Sequence, residues 1–271
     1  MSTRVTPEHY GQLALITGAS SGIGEQFARL LAARGFDLAL VARREPALQA
    51  LAAQLRNDYA VQVTLFPCDL SDSRQVDGLI SALQPLSPGL IISNAGYGVP
   101  KGKFLDSDAD AAEAMYMANA IAPARIARQL LPAMLKRGRG GIIFTGSMEG
   151  DAVFPYSAPY AASKAFLHSL VLGLWHEVRG SGVDVLLLAP GSTDTNAPIS
   201  QGISREQLVG VMSPADVAGQ ALQSLGRQPQ LITGWHNRLF IGLLRILPRR
   251  WAIAIAGAGM KQAIDNSAAA T

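Results

Sequence analysis

The sequence predicts an α/β fold in a single domain: one doubly wound parallel sheet with helices on both faces, ending in a C-terminal helical extension. Three observations carry that prediction. Short apolar runs alternate with longer helical patterns along the chain. Hydrophobic residues make up 49% of the composition against 16% charged, as expected when strands are covered on both sides and so are apolar all round. No abrupt change of composition marks a second domain within the 271 residues.

Taken in order, residues 13–16, 38–41, 61–66, 90–93, 142–145 and 183–189 read as strands. Leu231-Ile232 offers one last short strand. Residues 25–34, 74–83, 109–136 and 158–179, and a segment begun near Pro214, read as helices, while Asp37, Asn94-Ala95-Gly96 and Pro190-Gly191 punctuate strand ends. Strands joined by helices in this way require crossovers, hence a parallel sheet. Residues 1–234 are expected to form the dinucleotide-binding catalytic domain and 235–271 its helical extension. Within the extension, Leu239, Phe240, Leu243, Leu244, Ile246 and Leu247 have helical spacing and are bordered by Arg245, Arg249 and Arg250. Such a stripe can form a subunit contact, fold over a pocket or lie on a membrane surface, with the subunit contact ranked first. Arg245 and Pro248-Arg249-Arg250 interrupt it, so a membrane-spanning helix is not expected.

Composition also excludes function classes. The formal charge is +3, and the bases are scattered without interleaved aromatics, so no nucleic-acid partner is expected. The single cysteine, Cys68, allows neither an internal disulfide nor a cysteine metal cluster, and no metal is expected. The first ten residues are polar and charged, unlike a secretory signal, which makes the cytoplasm the expected compartment.

Directly after the first predicted strand comes Thr17-Gly18-Ala19-Ser20-Ser21-Gly22-Ile23-Gly24, followed by a helical pattern. Glycines at a strand-to-helix turn let the backbone approach a pyrophosphate, and the helix N-terminus offers unpaired N–H groups and a favourable dipole. A tight turn without a ligand is the alternative, but this placement favours a dinucleotide. Some twenty residues on, at the end of strand two, an NAD enzyme carries an acid for the ribose hydroxyls. Here the stretch is Val41-Ala42-Arg43-Arg44. It has no carboxylate, and the Arg43 guanidinium can make a charge-assisted contact with a 2′-phosphate, so NADP(H) is favoured. Arg44 reads more as the solvated start of a helix.

Tyr160, Ser163 and Lys164 form Y-x-x-S-K on a predicted helix, and i to i+4 spacing puts Tyr160 and Lys164 on one face. A free phenol titrates near 10, about three units above neutrality, so a tyrosine acting as acid or base needs a nearby positive charge. Lys164 can provide it. Ser147 lies thirteen positions before Tyr160, at the end of strand five, where its hydroxyl can hydrogen-bond a substrate oxygen. Asn119 is a polar amide inside a long helical run. Singly, these residues read as a helix-face aromatic, a solvated lysine, a turn serine and a surface amide.

Together they resemble the short, single-domain branch of the short-chain dehydrogenase/reductase family, over roughly residues 10 to 235. The glycine turn is similar to that family's T-G-x-x-x-G-x-G rather than to G-x-G-x-x-G. The resemblance implies a Rossmann-type fold, a homodimer or homotetramer, and hydride transfer between a nicotinamide and a small-molecule carbonyl or alcohol. It further implies that Tyr160 exchanges the proton, Ser147 polarises the carbonyl, Lys164 binds the nicotinamide ribose and lowers the Tyr160 pKa, and Asn119 holds a relay water. For the cofactor it adds Gly18, Ser20, Ser21, Gly22, Ile23 and Gly24. It also adds Asp69 and Leu70 at the adenine, with helix capping as the other reading of Asp69. Asn94, Ala95 and Gly96 would line the cleft, and Pro190, Gly191, Thr193 and Thr195 would reach the carboxamide and phosphates. Two departures stand out: Gly146 occupies a position where a second serine is frequent, and Glu149 adds an acid near the site.

Two rivals remain at this stage. A nucleotide-sugar epimerase or dehydratase shares the tyrosine and lysine but has a different glycine spacing, and an NADP(H)-binding redox sensor without turnover would lack one of the pair. Tyr97, Met148, Phe154, Ile199 and Met212 suggest an apolar pocket built from loops 97–104, 149–159 and 194–212. No residue pattern names one substrate.

Overall fold

Strand β1 (Leu13–Thr17) shows how the core is divided. Ala14 and Ile16 point to one side of the sheet and Leu15 to the other, and all three are fully buried. Strand β2 (Asp37–Ala42) repeats the division, with Leu38, Leu40 and Ala42 on the first side and Ala39 and Val41 on the second. The period-two alternation of strand side chains therefore feeds two cores, which is why the sequence shows apolar runs instead of an apolar/polar alternation. The computed structural model describes residues 5–208 and 210–269. Residues 1–4 and 270–271, the ends of the expected domain and extension, and Val209 in the third expected loop lie outside the described residues.

The remaining strands are β3 (Val63–Pro67), β4 (Leu90–Ser93), β5 (Gly140–Thr145), β6 (Val183–Ala189) and β7 (Gln230–Ile232). Their order is β3-β2-β1-β4-β5-β6-β7, with parallel pairing at each junction. After a first helical turn, α1 (Pro7–Tyr10), helices α2 (Gly22–Ala32), α3 (Glu45–Tyr59) and α9 (Pro214–Ser224) cover one face. Helices α4 (Ser73–Leu83), α6 (Ala122–Arg137) and α7 (Ala158–Glu177) cover the other. Two shorter helices, α5 (Ala109–Tyr116) and α8 (Ala197–Ser200), precede α6 and α9. This is the doubly wound, Rossmann-type sheet that the sequence predicts.

Three boundaries differ from expectation for local reasons. The third strand starts at Val63 rather than 61, because the Gln62 N–H donates to the Asp37 carboxylate at 2.9 Å instead of joining the ladder. The predicted helix 109–136 is two helices around a π-helical turn, Met117–Ile121, in which the Ala122 N–H reaches back five residues to the Met117 carbonyl. Asp69 does not cap α4. Its carboxylate accepts from the Ser71 N–H and hydroxyl at 2.9 and 2.7 Å, and Asp72 is the cap.

The extension forms α10 (Trp235–Ile246) and α11 (Arg249–Ala269), separated at Leu247-Pro248. Ile241, Leu244 and Ala256 close a third small core with Phe154, and Asn237 packs against Gly191. The inner face of this segment thus folds over its own domain. That is the second of the three readings above, and the subunit contact ranked first there does not take this face. Among the described residues no helix is long and apolar enough to cross a membrane.

Leu40 is 0% exposed in the middle of the first core, whereas Leu105 is 91% exposed. Leu40→Ala should cost about 2–5 kcal/mol in urea denaturation, and Leu105→Ala should stay within about 0.5 kcal/mol of the parent.

Candidate active site

The sheet order reverses between β1 and β4, and a crevice opens there at the carboxyl ends of the strands, where doubly wound folds bind ligands. Gly18 (φ +69°) and Gly22 (φ +59°) hold the left-handed backbone that turns β1 into α2. Ser21 at the N-cap of α2 makes no side-chain capping bond, which leaves its hydroxyl and the N–H groups of the first turn available to an anion. Gly18, Ser20, Ser21, Gly22 and Ile23 line a cavity of about 1210 Å³. Gly24 does not reach this cavity. A Cβ on it would sit 2.1 Å from the Gly18 carbonyl oxygen, so its smallness shapes the turn from behind.

At the end of β2, both arginines border the same cavity. The Arg43 guanidinium lies 5.6 Å from the Tyr97 ring centroid. Arg44, which the sequence suggested was only a solvated helix start, donates to the Ser20 hydroxyl at 3.2 Å and to its carbonyl at 3.4 Å. A guanidinium pair flanking the glycine turn suits a phosphate beyond the pyrophosphate. Asp69, Leu70, Asn94, Ala95 and Gly96 continue the wall, and Pro190, Gly191, Thr193 and Thr195 close it from the far side. Asn94 ties three strand ends together: its backbone N–H donates to Thr17 Oγ1 at 3.0 Å, and its Oδ1 accepts from the Thr145 hydroxyl at 3.3 Å.

Ser147, Tyr160 and Lys164 all line the cavity, with Ser147 hydrogen-bonded to the Tyr160 phenol. Lys164 is buried and donates to the Thr145 carbonyl at 3.0 Å, with its Nζ 5.7 Å from the Tyr160 ring centroid. Burial pulls its pKa down to about 8, and the Glu149 charge resists that fall. The Tyr160 phenol moves the other way: burial raises it, the Glu149 charge raises it further, and a hydrogen bond with Ser147 opposes both. Asn119 is wholly buried in the π-helical turn and does not line the cavity. Its side chain accepts from the Tyr97 N–H at 3.0 Å and donates to the Tyr97 carbonyl at 2.8 Å and to Ser163 Oγ at 3.1 Å.

The sequence did not single out Lys101. It stacks over Tyr160 at 5.3 Å from the ring centroid, forms an ion pair with Glu149 at 2.8 Å, and donates to Ser157 Oγ at 2.8 Å. Ser157 in turn donates to Glu149. The extra acid is thus half of a shielded pair that binds the loop after β4 to the loop after β5. Gly146 is explained as well, since a Cβ there would meet His168 Nε2 at 2.7 Å. That imidazole lies 3.5 Å from Asp151. Burial alone would raise the Asp151 carboxyl, but hydrogen bonds from His168 and Gln230, with the charge of Arg245, hold it below the ordinary range.

Of the expected apolar lining, Tyr97, Met148 and Phe154 face the cavity, whereas Ile199 points to solvent and Met212 packs on the first core. A further wall comes from Phe240, Ile255, Ala256, Gly259, Met260 and Ala263 of the extension, in keeping with the pocket-covering reading of that segment.

The sequence profile of the family described as short chain dehydrogenase matches residues 12–205. A 7β-hydroxysteroid dehydrogenase of Clostridium sardiniense is 33% identical over 232 residues, 85% of this chain and 88% of that protein. A solved structure of a 7β-hydroxysteroid dehydrogenase superposes with a TM-score of 0.84 at 25% identity, covering 94% of this chain and 99% of the other. A short-chain dehydrogenase from Sphingobium yanoikuyae in complex with NADPH superposes with a TM-score of 0.77 at 32% identity, covering 88% and 96%.

Gly24→Ala should displace the turn and weaken NADPH binding about tenfold or more in calorimetric titration. Gly78→Ala, where the added methyl meets nothing within 4 Å, should leave the titration unchanged.

Proposed function

The chain belongs to the short-chain dehydrogenase/reductase family, and from that premise we propose that it transfers hydride between NADP(H) and the carbonyl or alcohol of a bulky apolar substrate. The observation that carries the reading is the meeting of Ser147, Tyr160 and Lys164 between a glycine-turn cleft and an apolar wall. The residues present fit the dinucleotide: an uncapped helix start at Ser21, a turn too tight for any residue but glycine at position 24, and Arg43 and Arg44 in place of an acid. The two arginines favour NADP(H) over NAD(H). Asp69, Leu70, Asn94, Ala95 and Gly96 would border the adenosine and ribose, and Pro190, Gly191, Thr193 and Thr195 the nicotinamide side.

When bound, the nicotinamide supplies or accepts the hydride. Ser147 Oγ hydrogen-bonds the substrate oxygen and fixes its distance from Tyr160. The Tyr160 hydroxyl donates its proton to the developing alkoxide. Burial and Glu149 both favour the protonated phenol, the form that donates in the reductive direction. Lys164, protonated below about 8, lies beside Tyr160 to stabilise the phenolate it leaves behind, and would also hold the nicotinamide ribose of a bound cofactor. Asn119 commits its side chain to Tyr97 and Ser163, so its part in a water relay falls to the backbone of the π-helical turn.

Residues 1–234 act as the catalytic domain, and 235–271 complete its substrate pocket. The apolar wall of Phe154, Phe240 and Met260 supports a bulky apolar ketone, and a steroid is the class for which the relative from Clostridium sardiniense is named. Assembly as a homodimer or homotetramer and a cytoplasmic location, which suits the free buried Cys68, belong to this reading.

The test is NADPH oxidation followed spectroscopically with steroid-sized and small ketones. Turnover should favour the large ones and NADPH over NADH, and Tyr160→Phe should lower it about 10²-fold or more with the fold intact. The rate should fall as pH rises through about 8, where Lys164 loses its proton, and Glu149→Gln should move that limb to lower pH, because the carboxylate helps retain the charge. A Tyr160→Phe protein of normal rate contradicts the assignment.

A further inference from the structure

The extension has two faces, and the domain covers only one. Opposite Ile241 and Leu244, the side chains of Trp235 (71% exposed), Leu239 (66%) and Ile246 (80%) stand in solvent together with Leu243. At about 100° per residue these four fall within one arc of roughly 80° on α10. Trp251 and Ile255 of α11 are exposed as well, so two of the three tryptophans of the chain stand in solvent here. Arg238 borders the stripe, beside Arg245, whose guanidinium is paired with Asp151, and Arg249 and Arg250 follow at the start of α11, all exposed. Residues 217–264 contain six bases, Arg227, Arg238, Arg245, Arg249, Arg250 and Lys261, and no aspartate or glutamate, in a chain that carries 20 acids elsewhere.

We propose that this face docks on an anionic lipid surface, with α10 lying in the headgroup layer. Exposed tryptophan and leucine beside arginines is the chemistry of an interfacial helix: the apolar stripe enters the headgroup boundary while the guanidiniums meet lipid phosphates. Among the described residues no helix can span the bilayer, so the attachment is peripheral. A second copy of the chain fits this face less well. A twofold contact presents the same patch to itself, and residues 217–264 bring no acid to pair their arginines across it, Asp151 being already engaged by Arg245. The docking itself does not depend on the catalytic reading.

The experiment is co-sedimentation of the full chain with vesicles of phosphatidylcholine alone and of phosphatidylcholine with phosphatidylglycerol, at low and high salt, alongside light scattering. The protein should pellet with the phosphatidylglycerol vesicles, less so at high salt, and remain in solution with phosphatidylcholine. Arg249→Glu/Arg250→Glu and Trp235→Ser/Leu239→Ser should each weaken the association about tenfold or more. Both should keep NADPH oxidation in vesicle-free solution, since these side chains do not line the cavity. Failure to pellet with phosphatidylglycerol vesicles, or equal pelleting with both lipids, overturns the proposal. So does a Trp235→Ser/Leu239→Ser protein whose scattering mass drops to one chain from a multiple, because the face then belongs to a second copy.

Discussion

The buried ammonium of Lys164 is the constraint around which the site is arranged. A charge in the interior is costly unless its donors are satisfied, and this one donates to the main-chain carbonyl of Thr145 at the end of β5. The Thr145 hydroxyl passes on to Asn94, and Asn94 to Thr17, the residue before the glycine turn. One hydrogen-bonded line thus joins the ammonium to the dinucleotide cleft across three adjacent parallel strands. Space follows the same constraint, since a Cβ at Gly96 would come within 3.1 Å of Lys164 Nζ and 2.9 Å of Asn119 Oδ1. A side chain there would press first on the Asn119 amide and then on the ammonium.

The electrostatics depend on the same group. Burial disfavours the charged forms of both Lys164 and Tyr160, and Glu149 acts on both in one direction, upward. Its own charge is balanced by Lys101. The carboxylate therefore keeps the proton on each member of the pair without leaving a net charge in the pocket wall. The same salt bridge fixes the two loops that frame the substrate, which joins proton placement to pocket shape.

Regular spacing made much of this legible from sequence. Apolar runs gave the strands because a two-sided sheet buries both sides of every strand, and Y-x-x-S-K placed Tyr160 and Lys164 on one helical face because 3.6 residues complete a turn. Contacts between irregular loops obey no such period. Arg44 reaches Ser20 across 24 positions, Lys101 reaches Glu149 across 48, and Arg245 reaches Asp151 across 94. The same holds for Gly146, whose departure from the family pattern is explained by a histidine on the next helix. Ile199 and Met212 were read into the pocket on hydrophobicity alone, which does not separate a lining residue from one on the surface or in the core. The extension was readable as a helical segment with one apolar stripe at residues 239–247, but which partner its inner face takes is a tertiary fact.

The central claim is that Lys164 serves the cofactor and the proton donor at once. Lys164→Met tests it most directly, because it keeps the length of the side chain, removes a charge that is costly to bury, and should leave circular dichroism unchanged. Single-turnover kinetics and NADPH titration on this protein should show a rate lowered by about 10²-fold and a dissociation constant raised about tenfold or more. A folded Lys164→Met protein that binds NADPH and turns over like the parent would contradict the account.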